Sequence, residues 1–224
     1  MHSWIKVEIY YDVVSPYTWL AFETLCRYRT HWKMNLIFRP FFLGGVMNMS
    51  GNRPPMTVPA KGVYMKKDLE RNAAYFHIPL KMMENPVETL AVKGTLRAQR
   101  FLTAISLHYP KHLEEVSRQL WMRIWAREED IAENESLFQA AISAKMEEND
   151  IEKCLQLIDD PNVKEALKKT TEEAVEYGAF GAPTIIVHTK SGPELFFGCD
   201  RFPLIAMALN EQWKGPLPGV VSKL

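Results

Sequence analysis

Strand-forming sequence is confined to the two ends of this 224-residue chain, and that distribution limits the fold more than any other feature. Residues 5–13 alternate in polarity and are rich in β-branched and aromatic side chains, the pattern of a half-buried strand. Ser15-Pro16 then opens a helical stretch over residues 17–30, with Trp19, Leu20, Phe22 and Leu25 supplying apolar surface. Residues 34–42 read as a second strand, and two strands joined by a crossover helix lie parallel. Strand texture returns only at 182–188 and 194–197, with Ser191-Gly192 between them as a hairpin turn, before a closing helix at 202–213.

The middle of the chain has a different texture. Residues 43–59 carry Gly44-Gly45 and Gly51-Asn52-Arg53-Pro54-Pro55, which predicts a long ordered loop or boundary. Residues 64–177 are mainly helical in pattern, broken at Pro79, Pro86 and Pro110. Residues 88–108 and 111–127 form amphipathic runs, and Trp121 and Trp125, at i and i+4, predict packing between helices. Asn134 and Asn149-Asp150 suit the starts of two short helices, and Pro161 suits the first turn of a longer one over 162–177. The order is α/β: a thioredoxin-like mixed sheet interrupted by an all-helical insertion. It divides as 1–60 with 178–224 for the sheet domain and 61–177 for the insert.

Composition narrows the partners. Lys plus Arg (27) equals Asp plus Glu (27), so the basic excess that nucleic acid or an anionic membrane requires is missing. No apolar run approaches the roughly 18 residues of a membrane span. Cys26, Cys154 and Cys199 are far apart with no Cys-x-x-Cys, which leaves a disulfide framework, a zinc knuckle and a dithiol motif without support. An intracellular, reducing setting is expected. The first strand follows Met1 so closely that no signal or transit peptide is expected. The chain ends in Ser222-Lys223-Leu224, the tripeptide read by the peroxisomal import receptor, after a Gly215-Pro216-Leu217-Pro218-Gly219 stretch suited to an exposed tail.

Three short segments carry the candidate chemistry. Ser15-Pro16-Tyr17-Thr18 stands at a strand-to-helix turn. Ser is a good N-cap and Pro a favoured N1 residue, so the pair suits a plain helix start. The same place offers unpaired N–H groups, a partial positive charge and a hydroxyl able to donate to an anion. A nucleophilic serine needs a base, and no His or Asp is obviously placed for one, so stabilising another molecule's thiolate is the more sensible role. In the second segment, Gly178-Ala179-Phe180-Gly181-Ala182-Pro183-Thr184, Pro183 suits an edge or turn. In a thioredoxin-like fold it is a cis-proline opposite the helix turn. The third is Gly198-Cys199-Asp200-Arg201 before the last helix. Asp200 fits an N-cap or a partner for a ligand ammonium, and Cys199 reads as a small semi-buried residue in preference to a redox group. The methionines read as core or groove lining, and the six histidines show no metal-ligand spacing.

Taken together, these residues resemble the kappa-class glutathione transferases. The stretches that carry the resemblance include Tyr11-Asp12-Val13-Val14-Ser15-Pro16-Tyr17-Thr18-Trp19-Leu20, Ser50-Gly51-Asn52-Arg53-Pro54-Pro55 and Lys61-Gly62-Val63-Tyr64-Met65. Further matches are Arg100-Phe101-Leu102-Thr103-Ala104, Leu120-Trp121-Met122-Arg123, Tyr177-Gly178-Ala179-Phe180-Gly181-Ala182-Pro183 and Phe197-Gly198-Cys199-Asp200-Arg201. The resemblance runs from about Val7 to Pro218; bacterial 2-hydroxychromene-2-carboxylate isomerases and periplasmic dithiol oxidases are more distant relatives.

The resemblance implies a homodimer with glutathione as co-substrate and no metal, acting on a small electrophile or hydroperoxide. The implied activity is a detoxifying glutathione transferase, with glutathione peroxidase activity as a second reaction. It makes Ser15 the catalytic residue. It places glutathione contacts at Ser15, Pro16, Tyr17, Asn52, Lys61, Ala182, Pro183, Cys199, Asp200 and Arg201. In this scheme Asp200 holds the γ-glutamyl ammonium, and Lys61, with Arg201 or Asn52, is available for the glycyl carboxylate. Three positions depart from the family pattern: Thr18 and Cys199 each stand where Ser is expected, and Ala182 where a larger aliphatic residue is expected. The family's setting in mitochondria and peroxisomes agrees with the C-terminal tripeptide. A glutathione-dependent isomerase and a non-catalytic glutathione-binding or chaperone-like module are the alternatives on the same fold.

Overall fold

The computed structural model describes residues 4–83 and 94–219. Strand β1 (Ile5–Tyr11), helix α1 (Pro16–Tyr28) and strand β2 (Met34–Pro40) form the expected β-α-β unit, and β1 and β2 pair in parallel from Ile5 opposite Met34 to Tyr11 opposite Pro40. Strands β3 (Thr184–Thr189) and β4 (Gly192–Phe197) form the closing hairpin, and β3 runs antiparallel to β1. The sheet order is β2-β1-β3-β4. Gly192 turns the hairpin at φ 124°, a conformation side chains disfavour.

Alternation on β1 divides the core. Val7, Ile9 and Tyr11 join the large cluster with α1 and the helical region, whereas Tyr10 faces the opposite side with Phe41, Val46 and Ile186. Glu8 is buried on that second side and is satisfied by Lys6 at 2.9 Å, His188 at 2.6 Å and Arg39 at 3.6 Å. Although burial opposes ionisation, the Lys6 and His188 hydrogen bonds and the Arg39 charge hold its carboxyl below the usual range.

The sheet is followed by α2 (Leu43–Ser50), a 3-10 turn at Pro55–Thr57 and α3 (Pro59–Phe76). Next come α4 (Leu96–His108), a 3-10 turn at Pro110–His112 and α5 (Leu113–Trp121), which runs into a π-helical turn at Met122–Ala126. Helices α6 (Asn134–Ser143), α7 (Glu148–Gln156) and α8 (Pro161–Glu176) complete the region, and α9 (Phe202–Leu209) follows the hairpin. Pro86 and residues 88–93 of the predicted 88–108 run lie outside the described residues. The closing helix is shorter than predicted. Asn210 ends it at φ 56°, and Trp213 lies beyond it, stacked on Tyr28 at 4.9 Å and on Phe202 at 5.1 Å.

Helix α2 corrects the expectation of a loop over residues 43–59. The glycine pair permits close packing rather than breaking the chain: a Cβ on Gly44 would stand 2.8 Å from the Phe42 ring, and one on Gly45 3.2 Å from the Thr171 methyl. Phe42, at the N-cap, has no capping side chain, and the orphan N–H groups are taken by distant residues instead. Thr171 accepts from Phe42 N–H at 3.0 Å, and the Asp12 carboxylate accepts from Leu43 N–H at 3.0 Å.

One buried amide joins the sheet to the helical region. Gln99 of α4 donates to the carbonyls of Tyr11 at 2.8 Å and Phe41 at 2.7 Å, and accepts from Val13 N–H at 3.5 Å. Its side chain thereby closes the ends of β1 and β2, where sheet pairing stops. Gln99→Leu keeps most of the volume and leaves the Phe41 carbonyl and the Val13 N–H without this partner, whereas the Tyr11 carbonyl keeps the Phe41 N–H at 3.0 Å. An unsatisfied buried polar group costs about 1–3 kcal/mol, so a loss of about 2–4 kcal/mol is expected in urea unfolding. A loss below about 1 kcal/mol would show that the amide does not carry this junction.

Candidate active site

Ser15 is the N-cap of α1, at φ −89° and ψ 114°, with Pro16 at N1 as the sequence predicts. Its Oγ accepts from Thr18 N–H at 3.2 Å and donates to the Ala182 carbonyl at 3.4 Å. Ala182-Pro183 is a cis peptide, the geometry the sequence reading gave Pro183. The serine hydroxyl of one end of the chain therefore meets the cis-proline loop of the other. No imidazole or carboxylate hydrogen bonds to Ser15 among the described residues, so the hydroxyl is equipped as a donor and not as an activated nucleophile.

Two of the other candidate segments are tied to the cis-proline loop. Pro183 accepts from Gly198 N–H at 3.2 Å, which seats the 198–201 segment beside the cis-proline. Asn52, just past the left-handed Gly51 that ends α2, donates to the Phe180 carbonyl at 2.6 Å and so brings that loop to the same place. Asp200 and Arg201 are exposed and paired at 2.8 Å. Both remain accessible to a charged ligand, and exchanging a surface pair costs little. Tyr17 donates to Asp68 of α3 at 2.8 Å, and Tyr64 donates to the same carboxylate at 3.2 Å. Burial and Asp68 raise the Tyr17 phenol, so it stays protonated at neutral pH. Lys61 lies exposed in the first turn of α3, and no hydrogen bond or ion pair engages its ammonium among the described residues.

Cys199 is buried, and burial, reinforced by the nearby Asp200 carboxylate, pushes its thiol up to about 12. A thiol held protonated is a poor nucleophile, which agrees with the structural reading of this residue over the redox one. Among the described residues no group of three or more His, Cys, Asp or Glu side chains is placed to hold a metal ion.

Sequence reasoning missed the residues that hold the Ser15 turn. Trp121 donates its indole N–H to the Ser15 carbonyl at 3.2 Å, and Trp125 to the Val13 carbonyl at 3.2 Å. Read as packing residues, these tryptophans also satisfy the backbone of the turn. Asp12 is fully buried, and its two oxygens accept from Val14 N–H and Leu43 N–H, each at 3.0 Å, while the Thr95 hydroxyl adds a third bond. The signal available was a carboxylate at the end of an otherwise apolar strand.

Burial raises the Asp12 carboxyl from its ordinary 3.8 to about 6, against the lowering effect of the Val14, Leu43 and Thr95 donors. A raised carboxyl favours folding in its neutral form. Its contribution is fully present below the ordinary value and is lost as pH rises through 6, a span of about 3 kcal/mol for about two units. Asn at this position does not titrate. The stability of wild type relative to Asp12→Asn should therefore grow by up to about 3 kcal/mol from pH 7 to pH 4 in urea titrations. A difference that stays flat across that range would refute the shift.

Comparison with known proteins agrees with this arrangement. Residues 6–210 match the DSBA-like thioredoxin domain. The chain is 45% identical to human glutathione S-transferase kappa 1 over 216 residues, covering 96% of each chain. It is 37% identical to glutathione S-transferase kappa 1 of Caenorhabditis elegans, covering 95% of this chain and 93% of the other. Among solved structures, a 2-hydroxychromene-2-carboxylate isomerase shares the fold with a TM-score of 0.73 at 22% identity, covering 92% of this chain and 94% of the other. The chain, with its DSBA-like thioredoxin domain and its serine hydroxyl set against a cis-proline loop, belongs to the kappa-class glutathione S-transferase family.

Proposed function

We propose that this chain is a glutathione transferase in which Ser15 holds the glutathione sulfur as its thiolate. The observation that carries the reading is the state of the Ser15 hydroxyl. It receives an N–H bond from the first turn of α1 and spends its own proton on a long 3.4 Å bond to Ala182. A bond near the outer limit of hydrogen-bond length exchanges readily for a charged acceptor, which makes shorter and stronger contacts. The N–H bond to Oγ also polarises the hydroxyl and makes it a better donor.

The magnitudes suffice. A free thiol titrates near 8.5, and lowering it by about two units requires about 2.7 kcal/mol of preferential thiolate stabilisation. A hydrogen bond to a charged acceptor supplies roughly 1.5–3 kcal/mol and a helix N-terminus roughly 0.3–1 kcal/mol. The thiol proton leaves to solvent, the sulfur lone pair forms the new bond to an electrophilic carbon, and the leaving group departs with its electron pair. With a hydroperoxide the sulfur attacks the terminal oxygen, the O–O bond breaks to release the alcohol, and the resulting glutathione sulfenic acid condenses with a second glutathione to the disulfide and water. Asn52, the 198–201 segment and Lys61 supply polar groups for the ends of the tripeptide, and we read the working unit as a homodimer. Identity of 45% to a kappa transferase supports this reaction over the isomerase.

Ser15→Ala should keep glutathione affinity within about threefold and lower turnover by about 10–100-fold, with the thiolate absorbance shifted to higher pH. Thiolate absorbance and turnover equal to wild type would remove Ser15 from the mechanism. Saturable binding with no conjugation in either protein would favour the binding module, and substrate turnover without net glutathione consumption the isomerase.

The Ser222-Lys223-Leu224 address lies outside the described residues. We read it as directing the chain to peroxisomes through the import receptor, and family precedent leaves mitochondria as a second site. A fluorescent fusion at the N-terminus should be punctate and become diffuse when the three residues are removed. An unchanged distribution would exclude the address.

A further inference from the structure

Asp12 is a buried carboxylate that the chemistry above does not use. Its geometry is unusual in that each oxygen serves a different wall of the site. One oxygen accepts from Val14 N–H in the turn that carries Ser15, and the other from Leu43 N–H at the start of α2, both at 3.0 Å. Helix α2 in turn ends at Gly51, immediately before Asn52, which holds the Phe180 carbonyl of the cis-proline loop. Thr95, at the N-cap of α4, makes no cap bond to its own helix and donates to Asp12 instead.

We propose that Asp12 is a positioning residue for glutathione activation, clamping the Ser15 turn and the start of α2 in one register so that the Ser15 hydroxyl points across the groove to the cis-proline loop. The clamp requires two acceptor oxygens on one rigid carboxyl group. An ionised Asp has only acceptors, which matches the N–H groups of Val14 and Leu43 facing it. Asn keeps the shape but replaces one oxygen with an NH₂ group, so a donor would confront a donor on one of the two walls. Whichever wall is released, Ser15 and the Ala182 carbonyl lose their fixed relation, because one is held by the turn and the other by the loop that Asn52 holds. Burial pushing the carboxyl toward neutrality shows that the chain maintains this group at a cost to stability, which a device with a purely packing role does not require.

This inference rests on the reading of Ser15 as the thiolate donor. The test is the pH titration of thiolate absorbance in the glutathione complex, with kcat and the glutathione KM measured on folded Asp12→Asn and wild type. The expected result is a thiolate titration raised by about one unit, kcat lowered about tenfold and KM changed less than about threefold. A residue of purely structural consequence lowers the melting temperature and leaves the thiolate titration of the folded protein unchanged, so an unchanged titration with kcat within twofold overturns the proposal. Absence of a thiolate signal in wild type instead overturns the functional reading, and this inference with it. Should Asp12→Asn fail to fold, Thr95→Val carries the test. It removes one bond from the carboxylate at nearly constant volume. A thiolate titration raised by a smaller amount supports the clamp, and one identical to wild type overturns it.

Discussion

The turn between β1 and α1 is buried under the helical region, and the need to satisfy its backbone there organises the rest of the molecule. Water does not reach these peptide groups, and side chains add to the backbone bonds that pair them. Gln99 takes the Tyr11 carbonyl, Trp125 the Val13 carbonyl and Trp121 the Ser15 carbonyl, while Asp12 takes the Val14 N–H. Three of these four residues come from α4, α5 and the π-helical turn that follows it. The inserted helical region is therefore a frame that holds the serine in place. The π-turn belongs to the same requirement, since it carries Trp125 within a continuous helical run that begins in α5.

The opposing wall is built by different means. The cis-proline loop is held by Gly198 N–H on the Pro183 carbonyl and by Asn52 on the Phe180 carbonyl. Gly181 lets the loop lie close to Phe197, because a Cβ there would stand 2.9 Å from the ring and force it to move. The α1 turn is thus buried, whereas the charged candidates Asp200, Arg201 and Lys61 are exposed.

How much of this was legible in sequence depended on distance along the chain. Ser15-Pro16 signals an N-cap and N1 pair because both residues act within one helical turn, and the structure keeps that assignment. The parallel β1–β2 pair followed from alternation and the crossover helix between them, and the β3–β4 hairpin from Ser191-Gly192, whereas the sheet order and the antiparallel β1–β3 pairing emerged only in the folded chain. Helix α2 was hidden because Gly44-Gly45 carries the local signature of a turn. Its stability comes from Asp12 and Thr171, which lie 31 and 129 residues from the N–H groups they accept. The tryptophans were legible as buried residues, but their indole N–H partners were not, since spacing along a helix reports which face is apolar and says nothing of the carbonyl each ring edge meets.

By itself, the sequence determined the α/β class, the parallel β1–β2 pair, the closing hairpin and the helix start at Ser15, because these rest on local propensity, periodicity and short motifs. Tertiary structure decided what each residue of the site does. Only the folded chain shows that the Ser15 hydroxyl lies between the Thr18 N–H and the Ala182 carbonyl with no base bonded to it among the described residues, that burial pushes the Cys199 thiol up, and that Asp12 bridges two elements. These properties depend on burial and on partners far away in sequence. Dielectric environment and hydrogen-bond pairing are properties of the packed molecule, and no single segment of the chain carries them.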